Sequence, residues 1–107
     1  MTERIRLPQR RRCWTTTLEH DGRPYEVSVG FYDDGRPGEV FINTGKTPEA
    51  IHQHAADAAV AISIGLQHGV PAGAFKQSMP RHDAGGYYTV IGCVADMLAA
   101  QPWTVTA

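Results

Sequence analysis

The chain has 107 residues and a formal net charge of −1 at pH 7. That length holds one domain with one modest core, too little for the multi-strand parallel sheet of a nucleotide-hydrolysing enzyme. Near-neutral charge removes any general pull toward nucleic acid or anionic membrane, so neither is expected as a partner.

The charge is unevenly spread. Seven of the eight arginines precede residue 37: Arg4, Arg6, Arg10, Arg11, Arg12, Arg23 and Arg36. The basic N-terminus is not followed by an apolar segment, so no signal peptide is expected. No apolar run reaches the roughly 18 residues of a membrane helix. Cys13 and Cys93 lie far apart without ligand spacing and read as reduced, ordinary buried thiols, which fits a cytoplasmic location.

Residues 1–9 read as an extended basic arm, because Pro8 discourages helix, and residues 10–107 as a single domain. The Thr- and Trp-rich stretch 12–19 predicts a strand. Asp21-Gly22 supplies turn chemistry. Residues 25–32 alternate, with Tyr25, Val27, Val29 and Phe31 on one face and Glu26, Ser28, Gly30 and Tyr32 on the other. A second turn over 33–38 leads to a third strand, 39–43, which completes an antiparallel meander.

Helices follow. Thr47 is placed to cap and Pro48 to open the first. Ile51, Ala55, Ala58, Ala59, Ile62 and Leu66 recur at helical spacing, and Val60 and Ile64 add a second apolar stripe. Two stripes predict a core helix covered by more than one neighbour. Gly69 ends it in the left-handed conformation, with Val70 folding back. Pro71 opens a short helix over 71–79, and residues 88–100 form the last. The pattern predicts an α+β domain: a three-stranded antiparallel meander followed by about three helices on one face.

"VFINTGKTPEA" (40–50) has the outline of a phosphate-binding loop. That motif needs a glycine five residues before Gly45, where Val40 stands. No acidic strand end offers a second magnesium ligand. Gly45 is therefore read as relieving a strand-to-helix bend. A shallow anion site at the helix start, using Lys46 and Thr47, is the alternative.

"LPQRRR" (7–12), "YDDGRPGEVFINTGK" (32–46), "AISIGLQHGVPAGAF" (61–75) and "GGYYTVIGCVADML" (85–98) occur in this order. Together they resemble the TSCPD domain, the small C-terminal domain of adenosylcobalamin-dependent ribonucleotide reductases, over roughly residues 7–98. Gly38, Glu39, Asn43, Gly45, Gly69 and Pro71 carry the pattern as structural positions. Reductase catalysis implies a large barrel, a radical cysteine and a redox cysteine pair, and 107 residues hold none of these. The resemblance implies a fold and a partner, not an activity. No catalytic residue, metal or cofactor is expected.

Other chemistry is weak. His52 and His54 are two apart on a helix and diverge, whereas His54 and Asp57 share a face, with His68 and His82 as further imaginable ligands. Arg10 and Arg12 would share one side of an extended strand and Arg11 the other. Glu39 is expected to orient a first-strand arginine across the sheet. Tyr87, Tyr88 and Trp103 flank the last helix as core or interface residues. Two readings follow. The first is a non-catalytic accessory module that acts by self-association, as a homodimer or other homo-oligomer, or by binding a ribonucleotide reductase. The second is a nucleotide or other phosphate-ligand binder using Arg10, Arg12, Lys46 and Thr47.

Overall fold

The computed structural model describes residues 3–43 and 49–104. Strand β1 (Cys13–His20) turns into β2 (Arg23–Phe31) through Asp21 and Gly22. Both turn residues have positive φ, 51° and 75°, as the two-residue hairpin turn that matches strand twist requires. Strand β3 (Pro37–Asn43) follows a turn in which Gly35, at φ 91°, donates its N–H to the Tyr32 carbonyl. The Asp34 carboxylate accepts from the Arg36 backbone and guanidinium, which holds its pKa below the usual range.

The sheet is antiparallel in the order β1-β2-β3. Val29 stands between Trp14 and Val40, and Val27 between Thr16 and Ile42. These side chains point to one face, because successive residues of a strand alternate. There they meet Ala55, Ala59, Ile62 and Leu66 of α1 (Ala50–Gln67) and Val90, Val94 and Leu98 of α3 (Val90–Ala100). The other face carries Thr15, Ser28 and Phe41 in register. The register shifts after Gly30, beside Gly38. No side chain fits at Gly38, where Leu7 and the Tyr32 ring already fill the space.

Helix α1 ends as its sequence dictates. Gly69, at φ 90°, donates to Leu66 and Val70 to Gly65, the paired bonds of a Schellman stop. The short α2 (Ala72–Ser78) packs back through Phe75, whose ring occupies the space a side chain at Gly65 would need. The Thr89 hydroxyl caps α3 by accepting the Gly92 N–H.

Several expectations need correction. Glu49 is the N-cap of α1 and its side chain makes no cap bond, so the helix begins later than Thr47 and Pro48 suggested; those two residues lie outside the described chain. The second stripe of α1 is not covered: Val60 is 53% and Ile64 39% exposed. Ile51 is exposed as well. The reason is placement. α1 lies along β3 and turns one face to the core, while α2 meets it on the side of Gly65, away from Val60 and Ile64. Cys13 is exposed, because it lies on the outer face of an edge strand, and Cys93 is only half-buried.

The N-terminal segment is docked. The Ile5 N–H donates to the Gln67 carbonyl, Arg4 Nε donates to Gln67 Oε1, and the Tyr32 hydroxyl donates to the Ile5 carbonyl.

Candidate functional site

Glu39 is the one charged side chain among the buried polar residues of the described chain, at 6% exposure. A buried carboxylate needs a partner. Arg11 supplies it with two bonds, from Nε to Oε2 and from Nη2 to Oε1, and also donates to the Pro8 carbonyl. This pairing raises the guanidinium pKa. Gly30 makes room, since a Cβ there would lie inside contact distance of the Glu39 carboxylate. The group has no second titratable partner placed for proton transfer, so its geometry is that of a clamp between the N-terminal segment and β3.

The expected anion residues are not brought together. Gln9 and Arg10 form a bend rather than a strand, so Arg10 and Arg12 do not share an extended face. Arg10 is exposed. Arg12 lines a cleft of about 350 Å³ with Cys13, Trp14, Phe31 and Trp103. Lys46, Thr47 and Gly45 lie outside the described residues. Other arginines are engaged: Arg4 with Gln67, Arg23 with Glu49 and Arg36 with Asp34.

A second cleft, of about 330 Å³, opens between the β1–β2 turn, the first turns of α1 and the start of α3. Tyr25, Ala55, Ala58 and Val90 make its wall, and His20, Asp21 and His54 add polar groups. His20 Nε2 lies 3.0 Å from the Tyr87 carbonyl. A carbonyl only accepts, so Nε2 carries the proton and the ring is fixed in that orientation. Thr89 also lines the cleft, where its hydroxyl oxygen accepts the Gly92 N–H as the cap of α3. Neither cysteine lines it, and burial pushes the Cys93 thiol up, away from the reactive thiolate. No three metal-ligating side chains converge among the described residues. His82 lies tilted against the Tyr88 ring and His68 caps α1, remote in role from His54.

The tyrosines divide. Tyr87 is half-buried and its hydroxyl lies 3.4 Å from Asp96, whereas Tyr88 is exposed. Trp103 packs edge-on against Trp14 and Phe31 and belongs to the core margin.

Two functional side chains were not singled out from sequence. Ser63 is buried and accepts the Val40 N–H at 2.8 Å, and its single proton has the carbonyl oxygens of Ala59 at 2.9 Å and Val40 at 3.1 Å within reach. Gln67, one turn on, donates to the Gly38 carbonyl. Together they cover the outer edge of β3 at Val40 and Gly38. Their i, i+4 spacing on the buried stripe of α1 was the available signal. Beside this seam Val60 and Ile64, which bracket Ser63 along α1, are exposed; Phe41, which follows Val40, is 50% exposed on the opposite face of the sheet.

No described helix is long and apolar enough to cross a membrane. The chain is 41% identical over 71 residues to the vitamin B12-dependent ribonucleotide reductase of Bradyrhizobium diazoefficiens, covering 66% of this chain and 6% of that protein. It is 41% identical over 69 residues to the enzyme of the same name from Agrobacterium fabrum, covering 64% and 5%, and 40% identical over 68 residues to that of Rhodopirellula baltica, covering 64% and 6%. It thus spans about a twentieth of the length of these relatives. No solved structure matches it. The TSCPD domain family matches residues 2–100, nearly the whole chain, and the chain belongs to that family.

Proposed function

We propose that this domain is a non-catalytic interaction module of the ribonucleotide reductase type, acting through its surface by binding a partner and by self-association. The observation that carries the reading is the bare apolar stripe of Val60 and Ile64, one turn apart on α1, with an exposed Phe41 on the opposite face of the neighbouring strand. Exposed apolar side chains grouped along one packed seam mark interaction surfaces more than scattered ones do. The chemistry that could compete is committed elsewhere: Glu39 and Arg11 clamp β3, and Thr89 caps a helix. The relatives carry this unit as a small part of a much longer chain, so a vitamin B12-dependent ribonucleotide reductase polypeptide is the partner of first choice.

The test is binding of the purified protein to such a reductase by sedimentation velocity. The wild type is expected to co-sediment, and Val60→Asp/Ile64→Asp to weaken the complex by at least about tenfold, because a charge is stranded in an apolar contact. Both positions are exposed, so the variant should fold. A wild type that neither joins the reductase nor self-associates overturns the reading.

A further inference from the structure

The sheet has two edges, and the fold treats them differently. Ser63 and Gln67 cover the β3 edge at Val40 and Gly38. On the opposite edge, the Arg12 carbonyl accepts from Phe31 N–H. In an antiparallel ladder the bonded positions alternate, so residues 12, 14, 16, 18 and 20 face β2, and Cys13, Thr15, Thr17 and Glu19 turn their N–H and C=O groups outward. Among the described residues, no backbone group bonds to these four from outside.

Unpaired edges are usually blunted by proline, charged side chains, a bulge or shortness. Of these β1 carries only Glu19, at one end of the strand. It is eight residues long, its register with β2 is continuous, and its sequence is CWTTTLEH. Such an edge is built to accept a strand.

We infer that the occupant is the β1 strand of a second copy, paired antiparallel about a two-fold axis through Thr16, so that two three-stranded sheets become one. This inference rests on the interaction-module reading and names the surface for its self-association. The strand is self-complementary in two respects. Arg11 is held by Glu39, but the exposed Arg10 and Arg12 stand at one end and Glu19 and Asp21 at the other, so antiparallel pairing sets each basic end against the acidic end of the other copy. Only outward-facing residues can exchange ladder bonds, which admits the register Cys13 with the partner's Glu19 and Thr15 with the partner's Thr17. That register also sets Trp14 opposite the partner's Leu18 on the inner face, an aromatic–aliphatic pair across the strands. A two-fold contact of this kind is closed, so it stops at a dimer.

Thr17→Pro tests it. The Thr17 N–H faces outward, so proline there removes no bond within the monomer. Sedimentation of the wild type should show a dimer, Thr17→Pro should lower association by at least about tenfold through lost ladder bonds, and Val60→Asp/Ile64→Asp should leave the dimer intact. Should Thr17→Pro unfold, a Thr16→Cys variant in a Cys13→Ser/Cys93→Ser background should cross-link to itself under mild oxidation, since the two residues face each other across the axis at a separation a disulfide spans. A dimer that Thr17→Pro leaves unchanged, or a folded Thr16→Cys variant that does not cross-link, overturns the inference. A wild type that stays monomeric but binds reductase overturns it too, and leaves the partner-binding reading standing.

Discussion

The Ser63 hydroxyl lies within hydrogen-bond reach of both backbone groups of Val40, accepting its N–H at 2.8 Å and sharing its one proton between the Val40 carbonyl at 3.1 Å and the Ala59 carbonyl at 2.9 Å. One helical side chain thereby does for an edge strand what a neighbouring strand would do. Ser63→Ala should leave a buried donor and acceptor unsatisfied and cost roughly 2 kcal/mol. Urea unfolding measures it; an unchanged midpoint would show that water replaces the hydroxyl.

Glu39 and Arg11 should behave as a unit. Arg11→Met leaves a buried carboxylate without its partner and is expected to cost about 3 kcal/mol. Arg11→Met combined with Glu39→Gln should cost clearly less than the sum of the two single changes. Gly30→Ala should destabilise as well, since the new methyl takes the place of the carboxylate. Chemical denaturation of Gly30→Ala and of the Arg11/Glu39 double-mutant cycle reads these, and additive single changes would show that the pair does not act as a unit.

Tyr32 predicts a pH dependence. Burial, the largest cause, raises its phenol pKa, and its proton is donated to the Ile5 carbonyl. Above the unfolded value the unfolded chain holds fewer protons than the folded one, so stability contributed by this group is present below about pH 10 and falls as pH rises beyond it. The melting temperature of the wild type should therefore drop more steeply in alkali than that of Tyr32→Phe. Parallel curves would remove Tyr32 as the titrating group.

The two thiols should differ in reactivity. Cys13 is exposed, whereas Cys93 is half-buried with its pKa raised mainly by burial. At mildly alkaline pH an alkylating reagent should modify Cys13 first. Peptide mapping after partial labelling decides, and equal rates would contradict the burial of Cys93.

The phosphate-binding alternative makes the opposite demand on the arginines. Arg4, Arg11, Arg23 and Arg36 all hold protein partners, so millimolar nucleotides are expected to leave the melting temperature unchanged. A stabilising shift that Arg12→Ala abolishes would restore that alternative.

The meander was legible because Asp21-Gly22 and the alternation of 25–31 each admit one local structure, and Gly69 marked the helix stop for the same reason. The coverage of α1 was not legible. Val60 and Ile64 look like core residues by composition, and only the placement of α1 along the β3 edge decides that they face solvent. Ser63 and Gln67 escaped notice because a polar residue on an apolar stripe reads as ordinary variation until a strand edge is set against it. Cys13 was misjudged through its neighbour Trp14, which points to the opposite face.

Native mass spectrometry of the protein, purified gently from its own host, separates an interaction module from an inert monomer. A homodimer, a complex with a ribonucleotide reductase polypeptide, or both is expected. A bare monomer at every concentration, with no reductase attached, would contradict the interaction-module reading.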